Sequence, residues 1–293
     1  MNTPLATFFT CTVYPDIARL WYACLERAIP TGEARFEIYH DSDVCEIDPA
    51  LFPDAEILKA GAARRDFQEA YNDALERVTT PWLAFVDSDV YWISNSLWAR
   101  MKRELENPKV AAVSCVCRSH RKSHGTFSVV MKADIYREVL KSVEYGFLPA
   151  NETMGASIPL KDWKWYDTAD LATEAVLRAG YEVRFFDSEA EGDIVMFRNI
   201  TVFRLPAEFV GVEGLARIEG RYFWRGYAGN LVLKYLHDSA FPRGPKYRLP
   251  VLPTLTLRKL AAGTPKEIMW RLKLLTGMWK GALRVRRFLR SVK

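Results

Sequence analysis

The chain has 293 residues, of which 49% are apolar, 26% charged and 13% aromatic, and its formal net charge is +5. This composition excludes an intrinsically disordered chain, and 16 Gly and 15 Pro exclude a collagen-like or low-complexity one. No apolar run approaches the roughly 20 residues that span a bilayer. Five cysteines without framework spacing favour a reducing compartment, and Met1–Thr10 lacks the basic start of a signal peptide. We therefore expect a cytoplasmic protein.

Charge is unevenly distributed along the chain. Of the 41 Lys and Arg residues, 14 lie in Phe241–Lys293 together with a single acid, Glu267. Residues 1–240 therefore hold 27 basic and 35 acidic side chains, so an acidic body carries a strongly basic tail. The Pro- and Gly-containing run Phe241–Pro250 separates the two parts and indicates a boundary.

Short apolar runs alternate with helical patterns in the first 110 residues. The predicted strands are Ala6–Val13, Arg35–Tyr39, Ala55–Leu58 and Trp82–Val86, and the predicted helices are Asp16–Ile29 and Asp66–Val78. This alternation predicts an α/β fold with a mainly parallel sheet, in which ligands bind beyond the carboxyl ends of the strands. Two strands end in acidic triplets, at Asp41–Asp43 and at Asp87–Asp89, so we expect these acids to meet in one cleft.

Residues 111–240 show a less regular pattern. The predicted strands are Val110–Cys117, Thr126–Met131 and Tyr181–Phe186, and the predicted helices are Ala133–Val143, Asp167–Ala179 and Phe223–His237. Gly180 is expected to cap its helix in the left-handed conformation. The run Gly146–Lys164 is expected to form an irregular loop.

Asp87-Ser88-Asp89 is the strongest chemical signal. Two carboxylates at i and i+2, directly after a buried strand, suit a hard divalent cation whose other ligands are phosphate oxygens and water. Such an ion neutralises the charge that develops on a departing diphosphate. A D-x-D sequence also arises by chance as an Asp cap beside a solvated turn. The apolar strand before the triplet and Tyr91-Trp92 after it favour the functional interpretation.

The run Ala70–Arg77, followed by Thr80-Pro81-Trp82-Leu83-Ala84-Phe85-Val86-Asp87-Ser88-Asp89, resembles the D-x-D region of GT-A glycosyltransferases of the family-2 type. The likeness extends over roughly residues 5–190. It includes the first strand with its end at Thr10–Tyr14, the second strand ending at Asp41, and the helix Asp167–Gly180.

The resemblance implies a GT-A fold, in which helices flank a mainly parallel central sheet, followed here by a helical basic extension. We accordingly expect a GT-A catalytic domain over residues 1–240. Its nucleotide-sugar-binding half would be residues 1–110 and its acceptor half residues 111–240. Residues 241–293 would form a basic amphipathic helical tail.

The resemblance also implies a set of nucleotide-sugar-binding residues: Thr10, Thr12, Asp41, Arg65, Asp73, Asp87, Ser88 and Asp89. The two threonines and Asp41 would lie near the base and ribose, and Arg65 and Asp73 near the sugar-phosphate. The two D-x-D acids would hold Mn²⁺ or Mg²⁺ on the diphosphate. Asp41 is equally compatible with an ordinary turn, and a solvated surface is the alternative for Arg65 and Asp73.

An inverting glycosyl transfer needs a base that takes the acceptor's hydroxyl proton as the donor bond breaks. The base in this family is a carboxylate at the start of a helix, which implies Asp167, or else Asp170, as the catalytic residue. The family's usual Glu-Asp pair is absent, and Asp167 also suits a helix N-cap with Asp170 in the first turn. Many relatives place a His late in the catalytic domain, and Arg198–Arg204 contains none.

A second candidate metal site lies in the middle of the chain. Its four zinc ligands within ten residues are Cys115, Cys117, His120 and His124. Alternate cysteines on an apolar strand favour core positions, so the zinc interpretation is the weaker one. The basic loop Arg118–His124 is instead expected to border the acceptor site.

The tail has the pattern of a basic amphipathic helix. Two apolar stripes in different registers are Ile268, Leu272, Leu275, Trp279, Ala282 and Leu283, and then Val285, Phe288, Leu289 and Val292. Lysines and arginines cover the opposite side, which is typical of an interfacial membrane helix. We expect residues 264–293 to bind an anionic membrane surface, which makes the protein peripheral on the inner face of the membrane. Packing of the stripe on the catalytic domain is the alternative, and no nucleic-acid partner is expected.

The sequence therefore predicts a metal-dependent glycosyltransferase. Its donor would be a nucleoside-diphosphate sugar, with a UDP- or GDP-sugar favoured, and its acceptor a hydroxyl of a glycan or lipid-linked molecule in bacterial surface polysaccharide or glycolipid assembly. A sugar nucleotidyltransferase is one alternative, but it would carry a Gly-rich loop where this chain has Thr10–Pro15. A non-catalytic membrane or anion-binding adaptor is the other.

Overall fold

The structure is a computed structural model of the chain. It describes residues 3–12, 14–40, 46–59, 66–116, 122–143, 145–151, 165–198, 200–201, 204, 223–249 and 262–292. The predicted site residues Asp41 and Arg65, the zinc candidates Cys117 and His120, and most of the predicted loop Gly146–Lys164 lie outside these residues.

The described strands and helices follow the alternating order that the sequence predicts. The strands are β1 (Ala6–Thr12), β2 (Ala34–His40), β3 (Ala55–Lys59), β4 (Trp82–Val86), β5 (Val90–Trp92), β6 (Val110–Ser114), β7 (Ser128–Lys132), β8 (Ala150–Asn151), β9 (Trp165–Tyr166), β10 (Glu182–Phe185) and β11 (Ile194–Met196). The helices are α1 (Pro15–Ala28), α2 (Asp66–Arg77), α3 (Leu97–Leu105), α4 (Ala133–Leu140), α5 (Asp170–Arg178), α6 (Ser188–Glu191), α7 (Phe223–Ala240) and α8 (Pro265–Ser291).

A seven-stranded sheet in the order β10-β6-β7-β4-β1-β2-β3 forms the centre of the molecule. β1 pairs in parallel with β2 and β4, β2 with β3, and β6 with β10, while β7 is antiparallel to β4 and β6. The smaller antiparallel ribbons are β5–β11 and β8–β9. The predicted fold class, α/β with a mainly parallel central sheet flanked by helices and followed by a helical basic extension, is confirmed.

Side chains of the central strands alternate between two apolar cores, one on each face of the sheet. On one face, Phe8 of β1 packs edge-on against Trp92 and Trp98, with ring centroids 5.4 and 5.5 Å away. On the other face, Phe9 packs against Tyr71 and belongs to the cluster built with α2, α4 and α5. Burial on both faces explains why β4 is a continuous apolar run and why all seven residues of β1, its three threonines included, are buried.

Several predicted boundaries need correction. The strand predicted over Val110–Cys117 ends at Ser114, and the helix predicted from Asp167 begins at Asp170. The second difference has a backbone cause, because Ala169 has φ 66° and so lies in the left-handed region rather than in a helix. Gly180 has φ 86°, which confirms its predicted conformation. Helix α3 was not predicted, although Leu97, Trp98, Met101 and Leu105 recur at helical spacing and are buried. The β5–β11 ribbon was not predicted either, because each strand has only three residues.

The tail helix α8 begins at a capping box, in which the Thr264 hydroxyl accepts the Glu267 N–H and the Glu267 carboxylate accepts the Thr264 N–H. Its carboxyl half is packed, since Ala282, Val285, Phe288 and Leu289 are buried in the core beside α1 and α7. The second predicted stripe therefore covers the body of the protein, except for Val292, which is exposed.

The amino half of α8 is different. Its exposed apolar side chains are Met269, Trp270, Leu272 and Trp279, each 46–53% accessible. Across the part of the chain that the structure describes, no helix combines the length and the hydropathy needed to cross a membrane.

Candidate active site at the carboxyl ends of the central strands

The D-x-D triplet forms a tight turn between β4 and β5. The Asp87 N–H donates to the Phe127 carbonyl at 2.9 Å, and the Val90 N–H closes the turn on the Asp87 carbonyl at 2.9 Å. The Phe197 N–H, just beyond β11, donates to the Asp89 carbonyl at 3.0 Å. Ser88 is buried, and both acids are half-buried. The backbone thus holds the two carboxylates together at the end of a central strand, where parallel sheets bind ligands.

The two carboxylates influence each other strongly. Burial raises the pKa of Asp89 well above its ordinary range, the charge of Asp87 raises it further, and Arg198 only partly opposes them. A divalent cation offsets this repulsion, and carboxylate oxygens are the ligands that Mg²⁺ and Mn²⁺ prefer. Among the described residues no third His, Cys, Asp or Glu joins the pair. The pair fits a cation whose remaining ligands come from a bound diphosphate and water.

Two further residues face the D-x-D turn, and the sequence did not indicate them. β1 and β4 pair in parallel with Phe9 opposite Phe85, so two residues further along Cys11 lies beside Asp87. The Tyr71 hydroxyl lies 3.5 Å from Asp87 Oδ1 and also interacts with Cys11 and Thr126. Burial and the neighbouring Asp87 charge raise the pKa of the Cys11 thiol, so the thiol stays neutral. The sequence could have indicated Cys11, because side chains alternate along a strand and Cys11 must therefore lie on the face of β1 opposite Thr10 and Thr12.

The predicted nucleotide-binding threonines lie on the other face of β1. The Thr12 hydroxyl is engaged at 3.1 Å with both the N–H and the carbonyl of Tyr14, so it closes the turn into α1. The Thr10 hydroxyl is buried and has no hydrogen-bond partner within the described part of the chain. Asp73 is exposed and lies about 200° around α2 from Tyr71, so its side chain points away from Asp87. Contacts of these residues with a nucleotide sugar stay predictions.

The two predicted catalytic acids lie at the start of α5 and have different surroundings. Asp170 is buried, and its carboxylate accepts the Asp167 N–H at 2.9 Å. Asp167 is exposed, and its Oδ1 accepts the Thr168 N–H at 2.8 Å. Asp170 therefore fixes the turn that presents Asp167, whereas Asp167 is the acid that faces outward. Asp167 is not the N-cap of α5, because Ala169 occupies that position.

A short segment connects the start of α5 to the end of β4. Phe147 packs edge-on against Phe85, with ring centroids 5.0 Å apart, and its carbonyl accepts the Ala169 N–H at 2.8 Å. Asn72 of α2 holds the segment by accepting the Phe147 N–H at 2.9 Å. Gly146 has φ 55°, and a Cβ there would lie 2.3 Å from Asn72 Oδ1. The D-x-D strand, α2 and the start of α5 are therefore fixed relative to one another.

His124, one of the weaker zinc candidates, is engaged within the protein. Its Nδ1 lies 2.6 Å from the Gly125 carbonyl and its Nε2 lies 2.7 Å from the Tyr136 hydroxyl. The ring is fully buried and stabilises the segment before β7.

A buried ion pair fixes the loop after β1, and the sequence gave no sign of it. The Arg204 guanidinium donates to both carboxylate oxygens of Asp16 at 2.8 Å and lies over the rings of Tyr14 and Tyr247, 3.9 and 4.7 Å from their centroids. The Arg248 N–H donates to the same carboxylate at 2.7 Å. This cluster links the start of α1 to the segment around Tyr247 and Arg248, which precedes the tail helix α8.

No protein-family model matches the chain, and no curated protein matches it either. Three solved structures resemble it in part. A mannosyltransferase from Pyrobaculum calidifontis, in complex with GDP-Man and Mn²⁺, is 15% identical with a TM-score of 0.43, over 97% of this chain and 88% of that one. A 4-diphosphocytidyl-2C-methyl-D-erythritol synthase from Anaerococcus prevotii DSM 20548 is 7% identical with a TM-score of 0.41, over 62% of this chain and 86% of that one.

The third is galactosyltransferase LgtC, in complex with donor and acceptor sugar analogs. It is 10% identical with a TM-score of 0.39, over 62% of this chain and 73% of that one. Two of the three names are those of glycosyltransferases and one is that of a cytidylyl-type synthase. All three likenesses are weak, so the description of the fold depends on the strand order and the description of the site on its residues.

Proposed function

We propose that the chain is a GT-A-type glycosyltransferase that moves a sugar from a nucleoside-diphosphate donor to a hydroxyl of a glycan or lipid-linked acceptor. The observation that supports this most directly is the turn at the carboxyl end of β4, where Asp87 and Asp89 lie half-buried and their like charges repel each other. A site that disfavours two adjacent carboxylates becomes favourable when a divalent cation and a diphosphate occupy it together.

On the donor side, Asp87 and Asp89 would hold Mn²⁺ or Mg²⁺, which neutralises the charge that develops on the departing nucleoside diphosphate. The Tyr71 hydroxyl, 3.5 Å from Asp87, orients that carboxylate. The Thr10 hydroxyl, which is buried and has no partner within the described part of the chain, is proposed to lie near the nucleotide, and Thr12 shapes the adjoining turn. We assign the base and ribose to this region, together with Asp41. The sugar-phosphate contacts that the resemblance implies for Arg65 and Asp73 remain part of the proposal.

On the acceptor side, Asp167 is proposed as the base that removes the hydroxyl proton during an inverting transfer. Its exposure leaves it accessible to an acceptor, and Asp170 is a positioning residue, since its carboxylate holds the Asp167 N–H. The Phe147 segment connects this turn to the end of β4. Residues 1–110 and 111–240 would then serve the donor and the acceptor respectively.

The tail is proposed to hold the enzyme at the inner face of a membrane. The amino half of α8 exposes Met269, Trp270, Leu272 and Trp279 beside lysines, which suits an anionic lipid surface. A membrane-borne acceptor of bacterial surface polysaccharide or glycolipid assembly agrees with this location.

The decisive experiment is a thermal-shift panel of UDP, GDP, CDP, dTDP and their sugars, each with and without Mn²⁺. At about 100 times its dissociation constant a ligand stabilises by about 2.7 kcal/mol, which raises the melting temperature of a chain of this size by about 5–10 °C. We expect a Mn²⁺-dependent shift with one nucleotide family. Asp89→Asn should lose this shift, whereas Asp54→Asn, an exposed acid far from the turn, should keep it.

The same panel distinguishes the alternatives. The triphosphates UTP, GTP, CTP and dTTP are added to it for this purpose, and shifts with a triphosphate but with no diphosphate sugar would indicate nucleotidyl transfer. A protein that melts cooperatively, binds anionic vesicles and ignores every nucleotide would be an adaptor, and the proposed function would then be wrong.

A further inference from the structure

A cleft of about 500 Å³ lies between the β11 strand, α7 and the tail helix α8. Among the described residues that line it are one acid, Glu189, and five basic residues, namely Arg198, Arg225, Lys273, Lys280 and Arg284. We call these five residues with their cavity the basic cleft. They come from three separate parts of the chain, so the cleft exists only because α8 folds back onto β11.

The positive charges of the basic cleft are largely unneutralised. Within the described chain, Arg225, Lys273, Lys280 and Arg284 have no carboxylate in salt-bridge range, and Arg198 reaches Glu189 only at 3.8 Å. Some basic residues elsewhere on the body are paired at short distance, as Arg100 is with Glu191 at 2.8 Å. Like charges that are collected in a cavity without counter-charges form a binding site for a multiply charged anion.

The basic cleft adjoins the D-x-D turn. β11 pairs antiparallel with β5, so that Met196 in the cleft wall lies opposite Val90, the residue after Asp89. The next residue, Phe197, donates its N–H to the Asp89 carbonyl at 3.0 Å. An anion in the basic cleft therefore lies next to the two-stranded ribbon that adjoins the proposed donor site.

The cleft also has an apolar wall that continues toward the exposed half of α8. Met278 and Leu274 line the cavity, and Trp270 and Leu272 lie exposed on the same helix nearer its start. Gly281 allows α8 to lie close to the ribbon, because a Cβ there would be 3.0 Å from Val195 Cγ1. A ligand that joins an anionic head to an apolar chain matches both parts of this surface.

We propose that the basic cleft binds the phosphate or diphosphate group of a lipid-linked acceptor, with the lipid chain directed along the amino half of α8. Arg and Lys side chains are the usual partners of phosphate oxygens. This inference rests on the proposed function for the identity of the acceptor, but the anion site itself is measurable without any transfer reaction.

The test is calorimetric titration of the full chain with geranyl diphosphate in the presence of EDTA, so that no metal mediates binding at the D-x-D turn. The cleft variant is Lys280→Gln with Arg284→Gln. The matched control is Lys266→Gln with Arg287→Gln, which removes one lysine and one arginine from exposed positions of the same helix outside the cleft. Inorganic pyrophosphate and phosphatidylglycerol vesicles serve as parallel probes.

We expect the cleft variant to bind geranyl diphosphate at least tenfold more weakly than the wild type, and the control to change less than twofold. Pyrophosphate should show the same preference with lower affinity, and vesicle binding should fall equally in both variants. If the two variants lost affinity for geranyl diphosphate equally, the binding would depend on the total positive charge of the helix and not on the cleft. A selective loss of vesicle binding without geranyl diphosphate binding would assign it to lipid headgroups. Either result, or no binding by the wild type, overturns the proposal.

Mn²⁺-dependent nucleotide binding, measured on the same proteins, separates the two hypotheses. The cleft variant should retain it, and Asp89→Asn should lose it while still binding geranyl diphosphate. A wild type that binds geranyl diphosphate through the cleft but binds no nucleotide would leave the anion site standing and contradict the proposed transferase.

Discussion

Two regions of opposite charge adjoin the β5–β11 ribbon. At the D-x-D turn, Asp87 and Asp89 are two residues apart in one short loop, and the central sheet and the adjoining ribbon fix their position. In the basic cleft, the charges come from Arg198, from α7 and from α8, and only long-range packing brings them together. The comparison shows two ways of concentrating charge: one is local and is evident in the sequence, and the other depends on the folded tail.

The largest expected effect comes from removing a negative charge of the D-x-D turn. Asp87→Asn or Asp89→Asn should lower kcat for sugar transfer by at least about 1,000-fold, because the charge on the leaving diphosphate is then no longer offset by a bound cation. Steady-state kinetics with purified donor and acceptor measure this.

The Asp89→Asn variant should lose activity but should be at least as stable as the wild type. Since burial and Asp87 raise the pKa of Asp89, its carboxylate costs stability above the pH at which the unfolded chain ionises. The neutral Asn should therefore melt at or above the wild-type temperature at pH 7 without metal. The matched variant Asp54→Asn should keep full activity. A fully active Asp89→Asn enzyme would remove the basis of the metal assignment.

The next largest effect distinguishes the two halves of α8. Phe288→Ala, in the packed half, should cost about 4 kcal/mol of unfolding free energy, because it leaves a cavity in the core. Trp270→Ser with Leu272→Ser, in the exposed half, should leave the melting temperature almost unchanged and reduce binding to phosphatidylglycerol vesicles about tenfold. Urea unfolding and vesicle co-sedimentation give the two readouts. Equal destabilisation by both changes would mean that the whole helix is a packing element.

A smaller effect is expected at the buried ion pair between Asp16 and Arg204, which lies outside both regions. Arg204→Gln leaves Asp16 buried with one hydrogen-bond partner fewer and should cost about 3 kcal/mol. Asp16→Asn should cost a similar amount, and the double variant less than the sum, because the second change removes a group that has already lost its partner. Urea titrations of the four proteins form the cycle. Strict additivity would show that the pair does not act as a unit.

The sequence predicted the place of the acidic triplet in the fold because one strong local pattern determines it, and the metal-binding role of the triplet stays a prediction. The continuous apolar run Trp82–Val86 fixes a buried strand, and the triplet that follows it must then lie at the sheet edge. The tail helix was equally evident from its spacing. The strand order of the sheet was foreseen only as mainly parallel, since no local pattern specifies which strands become neighbours.

Other features depended on backbone details and distant contacts. The left-handed Ala169 moves the start of α5 to Asp170, and no residue type there signals it. Side chains alternate between the two faces of β1, and the register with β4 places Cys11, not Thr12, beside Asp87. The basic cleft was invisible, because Arg198 and Lys280 are far apart in sequence and meet only when Val285 and Phe288 pack into the core.

The smallest expected effect concerns the carboxylate that holds the chain between α7 and the tail. Asp238 accepts Lys234 Nζ at 2.7 Å and the Tyr247 N–H at 2.9 Å, and it also lies 3.3 Å from Nδ1 of the buried His237. Partial burial opposes ionisation, but these partners outweigh it and lower the pKa of Asp238 to about 2. A carboxyl whose pKa is lowered by folding stabilises the protein above its unfolded pKa, and this contribution is lost as the pH falls through the folded value.

Asp238→Asn should therefore cost about 1 kcal/mol at pH 7, after allowance for solvent screening, and the difference from wild type should shrink between about pH 4 and pH 2. Asn keeps an oxygen that accepts the Tyr247 N–H, so the change removes mainly the charge. Lys234→Met should reproduce part of the loss with the same pH dependence, because Lys234 is one source of the shift. Chemical unfolding across this pH range measures both variants. If the difference in unfolding free energy stays constant down to pH 2, the charge of Asp238 does not stabilise this connection. The side chain would then act only through its packing and its neutral hydrogen bonds.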